Sequence, residues 1–305
     1  MKQNFRKKAL VPAIAMVVAS VIALSGVTYA WFTTGNTASV TGLDVNVQTA
    51  NGIQISLDAN KWKSVITADD LVEAIGSATA YADRCIQLPG GEIAPVSSAG
   101  IAADGKLQMF YGEYDKSGNL RSVSEVEENR TSGGNFVAFD LFFKSTMKQN
   151  LTLNLGDSAS FVKGTASMGG FDNVGTEKAV RVAFLDMGSA ATDAAARKLN
   201  DVKNVYIWEP NASTRADGVS ADTGKLTYKG FKTEFESVSE NELTDAQVAT
   251  VETFVTDKVI TELQSGISKI RVYIWLEGQD VDCINNISFG DFTANLAFSV
   301  PEIED

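Results

Sequence analysis

Asp291 to Val300 reads DFTANLAFSV, with Phe292, Ala294, Leu296, Phe298 and Val300 on alternate positions and Thr293, Asn295 and Ser299 between them. A period of two puts the first set on one face of a β-strand and the second on the other. The period recurs across the chain. Val137, Phe139, Leu141 and Phe143 share a face, as do Leu151, Leu153 and Leu155, then Val180, Val182 and Phe184, then Val272, Ile274 and Leu276. Half-buried strands separated by Gly, Asn and Asp turns predict an all-β, antiparallel sandwich rather than a parallel sheet.

The first such strands lie near residue 40. Leu43, Val45 and Val47 alternate with polar residues, Ile53, Ile55 and Leu57 do the same, and Asn51-Gly52 lies between them. That dipeptide suits the positive φ of a tight turn, so residues 40–58 are predicted to form a hairpin. Helices are predicted only as short insertions, near 68–78, 192–201 and 245–264. The last places Val248, Val251, Val255, Val259 and Leu263 on one stripe after a Thr244/Gln247 capping box. The tetrapeptide VYIW occurs at 205–208 and 272–275, but its flanks differ and β-branched and aromatic residues are what strands favour. We expect residues 31–305 to form one sandwich domain with insertions in its loops.

Residues 1–30 differ. Lys2, Arg6, Lys7 and Lys8 precede ALVPAIAMVVASVIALSGVTYA, and no further charge appears before Asp44. This is the grammar of a secretory signal peptide. The run is also about the 20 residues that cross a bilayer, but Pro12, Ser25 and Gly26 favour the cleaved reading. Both place the remainder outside the cytoplasm. Without the four leader cations, the 26 basic residues fall to 22 against 38 acidic, a net charge of −16. Such a surface repels nucleic acid and anionic lipid.

Cys85 and Cys283 could form a disulfide in an exported chain, worth about 5 kcal/mol for so long a loop, or stand as two buried thiols. The chain has no histidine. Ser-His-Asp and Cys-His catalysis and His-ligated zinc are therefore excluded, and no phosphate-binding glycine motif occurs. On a strand Asp280 and Asp282 would face the same side and could bind calcium or act as acid and base, and Asp115, Ser117 and Asn119 loosely follow a calcium loop, but the first reads more simply as a solvated loop and the second as a hairpin turn. Trp31, Trp62, Trp208 and Trp275 are candidates for a sugar-stacking platform or for core packing. Asn-x-Ser/Thr sequons begin at Asn129, Asn150, Asn211 and Asn286. No catalytic residue, cofactor or metal ligand is assigned.

Thr28-Tyr29-Ala30, Phe32 and the strand Gly-Leu-Asp-Val-Asn-Val from Gly42 resemble the start of the TasA and camelysin group of exported proteins of Gram-positive bacteria. AFDLFFKS, IWEPN and IWLEGQDVDCINNI resemble a poorly characterised branch of that group. The resemblance implies cleavage between Ala30 and Trp31 by a SipW-type signal peptidase, a jelly-roll-like sandwich, and fibres of the biofilm matrix built by strand addition. The donor strand it implies carries Val40, Leu43, Val45 and Val47. Camelysin-type relatives described as metalloproteases imply an enzyme, which the lack of histidine opposes. The expected function is a self-associating structural protein of the cell surface. The alternative is a monomeric surface module binding a glycan or cell-wall polymer.

Overall fold

The computed structural model describes residues 38–48, 53–76, 84–89, 92–102, 104–114, 120–126, 134–155, 159–165, 175–211, 251–254, 256–278 and 290–300. Strands dominate them, in two seven-stranded sheets and one of three. The first sheet runs β15 (Lys258–Leu263), β10 (Gln149–Leu153), β17 (Gly290–Ser299), β1 (Ala38–Gln48) and β3 (Val65–Ile66). Strand β11 (Phe161–Thr165) also pairs with β17, and β5 (Glu92–Ile93) with β1. The second sheet runs β14 (Val251–Phe254), β13 (Asn204–Trp208), β12 (Val180–Ala190), β16 (Gly266–Leu276), β9 (Val137–Ser145) and β2 (Gln54–Ser56), with β4 (Ile86–Gln87) on β9. Strands β6 (Ser97–Ile101), β7 (Leu107–Tyr114) and β8 (Leu120–Glu125) form the third.

The two large sheets face each other over one core. Leu43, Val45, Phe292, Leu296 and Phe298 enter it from the first sheet, and Phe139, Leu141, Val182, Phe184, Val272 and Ile274 from the second. These are the alternating rows read from the sequence. Phe298 makes edge-on contacts with Phe143 and Phe184 at centroid distances of 5.2 and 6.0 Å, joining the sheets through aromatic packing. Most pairings are antiparallel; among the described residues β1 with β17 and β13 with β14 are parallel.

Three expectations are corrected. The 40–58 hairpin does not form: β1 pairs with β17 in the first sheet, whereas β2 pairs with β9 in the second. Both apolar rows still face the core, because a chain crossing from sheet to sheet can keep them inward without pairing them. Periodicity sets the buried face and leaves the partner open.

The 245–264 helix is overturned where it is described, since Val251–Phe254 and Lys258–Leu263 are strands. Eight of the twelve residues from Thr250 to Thr261 are β-branched. Their stiff χ1 angles disfavour a helix and suit a pleated sheet, outweighing the helical stripe. Ile260 is buried and Val259 is 41% exposed, the reverse of what that stripe requires. The two shorter helices are present, as α1 (Ala68–Gly76) and a single turn α2 (Asp193–Ala196), where Thr192 Oγ1 accepts the Ala195 N–H at 3.3 Å.

The third correction concerns the wet face. Strands β9, β12 and β16 are buried on both sides along most of their length. The outer face of the second sheet forms a second core: Ala138, Ala183, Leu185, Tyr273 and Trp275 pack with Leu107 and Met109 of β7 and with Val96.

Candidate functional site

Strand β1, the candidate assembly strand, pairs with β17 from Ala38 opposite Gly290 to Gln48 opposite Ser299. Leu43, Val45 and Val47 point into the core, Val40 is half-buried, and Asp44 is exposed. On the opposite face the Asn46 Nδ2 donates to Asn295 Oδ1 at 3.1 Å. Gly42 faces Thr293 at the register shift in the β1–β17 ladder, where a Cβ would stand 3.3 Å from the Thr293 methyl. The other edge of β1 is covered at two places, by β5 at Ala38 and Ser39 and by β3 at Val45 and Asn46. Helix α1 also packs on β1 and buries Leu71 in the same core. Covering an edge with short strands and a helix protects it from unwanted pairing.

Four of the sequence-derived strand residues therefore come together, within their own chain. Burying Leu43, Val45 and Val47 contributes on the order of 5–9 kcal/mol at roughly 1.5–3 kcal/mol per side chain. A core that relies on an N-terminal strand to this extent needs that strand, or a copy of it, in the seat.

The outer face of the second sheet carries an ionic layer that sequence reasoning missed. The Arg271 Nε donates to Asp140 Oδ1 at 2.8 Å, Lys269 Nζ lies 3.2 Å from Asp140 Oδ2, and the Cys85 N–H donates to the same oxygen at 3.1 Å. Lys269 also donates to the Leu199 carbonyl at 2.8 Å, the Tyr273 hydroxyl accepts the Leu107 N–H at 3.2 Å, and Trp275 Nε1 donates to Glu277 Oε2 at 3.0 Å. Ser97 donates to the other Glu277 oxygen. On the neighbouring strand Arg181 Nη2 lies 2.7 Å from Glu209 Oε1.

From β16, Lys269, Arg271 and Tyr273 reach the Leu199 carbonyl, the Gly105 carbonyl and the Leu107 N–H, which tie the covering layer to this strand. Burial pushes the Lys269 ammonium below its ordinary pKa, with Asp140 opposing. Burial works most strongly against the charge of Arg271, but Asp140, Cys85 and Tyr273 together outweigh it and hold the guanidinium well above its usual value. The available signal was aromatic: Tyr273 and Trp275 stand on the face of RVYIWLEG read as wet, and two large rings in a row there imply a cover.

The tryptophan platform does not form among the described residues. Trp208 points into the main core and Trp275 into the outer one, while Trp62 is half-buried with Lys144 Nζ 5.4 Å from its ring centroid. The two VYIW segments flank β12 on either side. Trp208 and Ile274 both stand opposite Val182, so the copies are offset by one residue and their tryptophans emerge on opposite faces.

Asn150 lies in β10, and the Asn211 amide donates to the carbonyls of Val162 and Glu177 at 3.1 and 2.9 Å. Ala30, Trp31, Asn129, Asn286, Asp280, Asp282, Cys283 and the 115–119 turn lie outside the described residues, as does the leader. Cys85 is buried. Among the described residues no group of three or more Cys, Asp or Glu side chains gathers as a metal site, and no helix is long and apolar enough to cross a membrane. No protein-family model matches this chain, and no curated protein or solved structure matches it.

Proposed function

We propose that the chain is an exported structural protein of a bacterial cell surface or biofilm matrix, which associates with copies of itself by exchange of its N-terminal strand. The leader-like residues 1–30, the resemblance of residues 20–47 to the TasA and camelysin start, and the acidic balance support export. A signal peptidase acting between Ala30 and Trp31 is then its partner during export, and a jelly-roll order of strands belongs to the same reading. The observation that carries self-association is the seat of β1. An N-terminal strand lies parallel to the last described strand, fills a core row, and is joined to the opposite sheet by only the five residues 49–53. An identical strand from a neighbour would make the same backbone and core contacts.

The second reading, a monomeric binding module, draws on the same pairing, because β1 satisfies its own β17. A crosslink separates them. Asn46→Cys and Asn295→Cys would be introduced together into a mature chain whose own cysteines are replaced by alanine. Exchange requires these positions to join different chains, giving a covalent ladder on a non-reducing gel and filaments by negative-stain microscopy. A single intrachain species at high protein concentration, without filaments, would reject exchange.

A further inference from the structure

An apolar row does not by itself say where along its neighbour a strand must sit. The row that β17 sends into the core runs Phe292, Ala294, Leu296 and Phe298, and β1 lays Val40, Leu43, Val45 and Val47 against it in that order. The register shift between Val40 and Gly42 is what keeps Val40 and Leu43 in one row. A one-residue slip of β1 would turn its apolar residues outward, but a two-residue slip leaves them inward. Moved two places toward the end of β17, Leu43, Val45 and Val47 would meet Leu296, Phe298 and Val300, which is still an apolar seam.

Side-chain size removes this ambiguity. Leu43 is the one leucine among the valines of its row, and it stands opposite Ala294, the one small residue among the large ones of the facing row. Both are buried in the main core, where a mismatch has no solvent to relax into. Either two-residue slip sets Leu43 against Phe292 or Leu296 and leaves a valine facing Ala294. One rung is then overpacked and another underfilled.

The outer face makes the same choice independently. The Asn46 Nδ2 donates to Asn295 Oδ1, and Asn295 is itself fixed from the far side, since its amide donates to the Ala159 carbonyl. Gly42 faces Thr293, the position at which a Cβ would meet the threonine methyl. Either slip carries Asn46 away from Asn295 and Gly42 away from Thr293. A polar pair of this kind adds little stability but specifies alignment, as a lone asparagine pair does in a coiled coil.

We infer that Leu43 and Asn46 are the residues by which the β17 seat recognises its strand, through Ala294 and Asn295, and that they restrict the occupant to β1 of this chain or of a second copy. This rests on the strand exchange proposed above and names what makes that exchange specific.

Fluorescein-labelled peptides of residues 38–48, titrated into the mature chain in urea below its unfolding transition and followed by anisotropy, test it. The discriminating peptide is an isomer carrying Leu43→Val and Val45→Leu, which keeps the composition and moves the leucine by one rung. The native peptide should bind about tenfold tighter than this isomer or better, because the isomer crowds Leu296 and leaves space over Ala294. An Asn46→Leu peptide should also bind more weakly than the native one, although it is more apolar. On a chain carrying Leu43→Ala with Ala294→Leu, the preference should invert, so that a Leu43→Ala peptide binds tighter than the native peptide. A seat that reads only hydrophobicity would favour the leucine on both chains. Should the exchanged chain fail to fold, the isomer on the parent chain decides alone. Equal binding of native and isomeric peptides, or an unchanged order on the exchanged chain, overturns the inference and leaves strand exchange standing. Entry of neither peptide rejects the exchange, and the inference falls with it.

Discussion

Asp140 and Arg271 stand directly opposite each other on β9 and β16, and their side chains are joined at 2.8 Å within a layer where each is 1% exposed. Lys269, two residues along β16, shares the same carboxylate. One anion thus serves two buried cations, and the Cys85 N–H and the Gly105 and Leu199 carbonyls are among their further partners.

Removing the anion alone should be worse than removing the layer. Asp140→Ala removes the carboxylate shared by two buried cations and is expected to cost about 3–5 kcal/mol, whereas replacing Asp140, Lys269 and Arg271 together with apolar residues of similar volume should cost less. Urea denaturation of both variants checks this. A triple variant less stable than Asp140→Ala would mean that the ions contribute net stability.

Two glycines separate steric cost from conformational cost. Gly266 opens β16 at φ 136°, and a Cβ there would lie 2.5 Å from the Ala190 carbonyl oxygen. Gly175 at φ 84° has only the Lys178 side chain nearby, at 3.6 Å. Gly175→Ala should cost about 1 kcal/mol from the left-handed backbone, and Gly266→Ala clearly more, because backbone rather than a side-chain end must move. Equal shifts in melting temperature would refute the distinction.

How much of this was legible in the sequence follows from what periodicity encodes. The inward rows of β9, β12, β16 and β17 could be read directly, since their alternate apolar residues mark the face that meets the opposite sheet. Pairing could not, because β1 and β17 lie some 250 positions apart and nothing local marks them as neighbours. The outer layer was missed because Arg271 and Glu277 look solvated until a third sheet covers them. Asp186 carried a signal that was passed over: it occupies the position after Val180, Val182 and Phe184 where the stripe calls for a fourth apolar residue.

Two carboxylates should give stability opposite dependences on pH. Asp58 Oδ1 accepts the Ser56 hydroxyl and the Asn60 and Lys61 N–H groups, each at 2.8 Å, and Arg197 is nearby. Burial raises its pKa, but these partners outweigh it and hold the carboxyl below 3.8. Its stabilisation is present above pH 3.8 and is lost as pH falls through the lowered value. Asp186 is shifted upward by burial, with Lys203 facing it and Glu262 across the cleft between β12 and β15. The folded state is favoured when Asp186 is protonated, so this contribution is complete below pH 3.8 and is lost as pH rises through the raised value. Melting curves from pH 3 to 7 should therefore show Asp58→Asn losing most, relative to the parent, at the neutral end, and Asp186→Asn gaining there. Parallel curves for both variants would contradict the assigned directions.

Strand β1 offers the sharpest separation between folding and assembly. Val45 is fully buried and opposite Leu296 on β17, whereas Asp44 on the same strand is exposed. Val45→Asp places an uncompensated charge in the main core, and it should prevent both folding and filament formation. Asp44→Lys touches only the outer face and should leave the melting temperature within a few degrees of the parent. A chain of residues 49–305 leaves β17 without its parallel neighbour and should be soluble only when a peptide of residues 38–48 is supplied. Circular dichroism with and without that peptide reads this directly. If the truncated chain folds fully alone, β1 is dispensable to the core, and strand exchange loses its driving force.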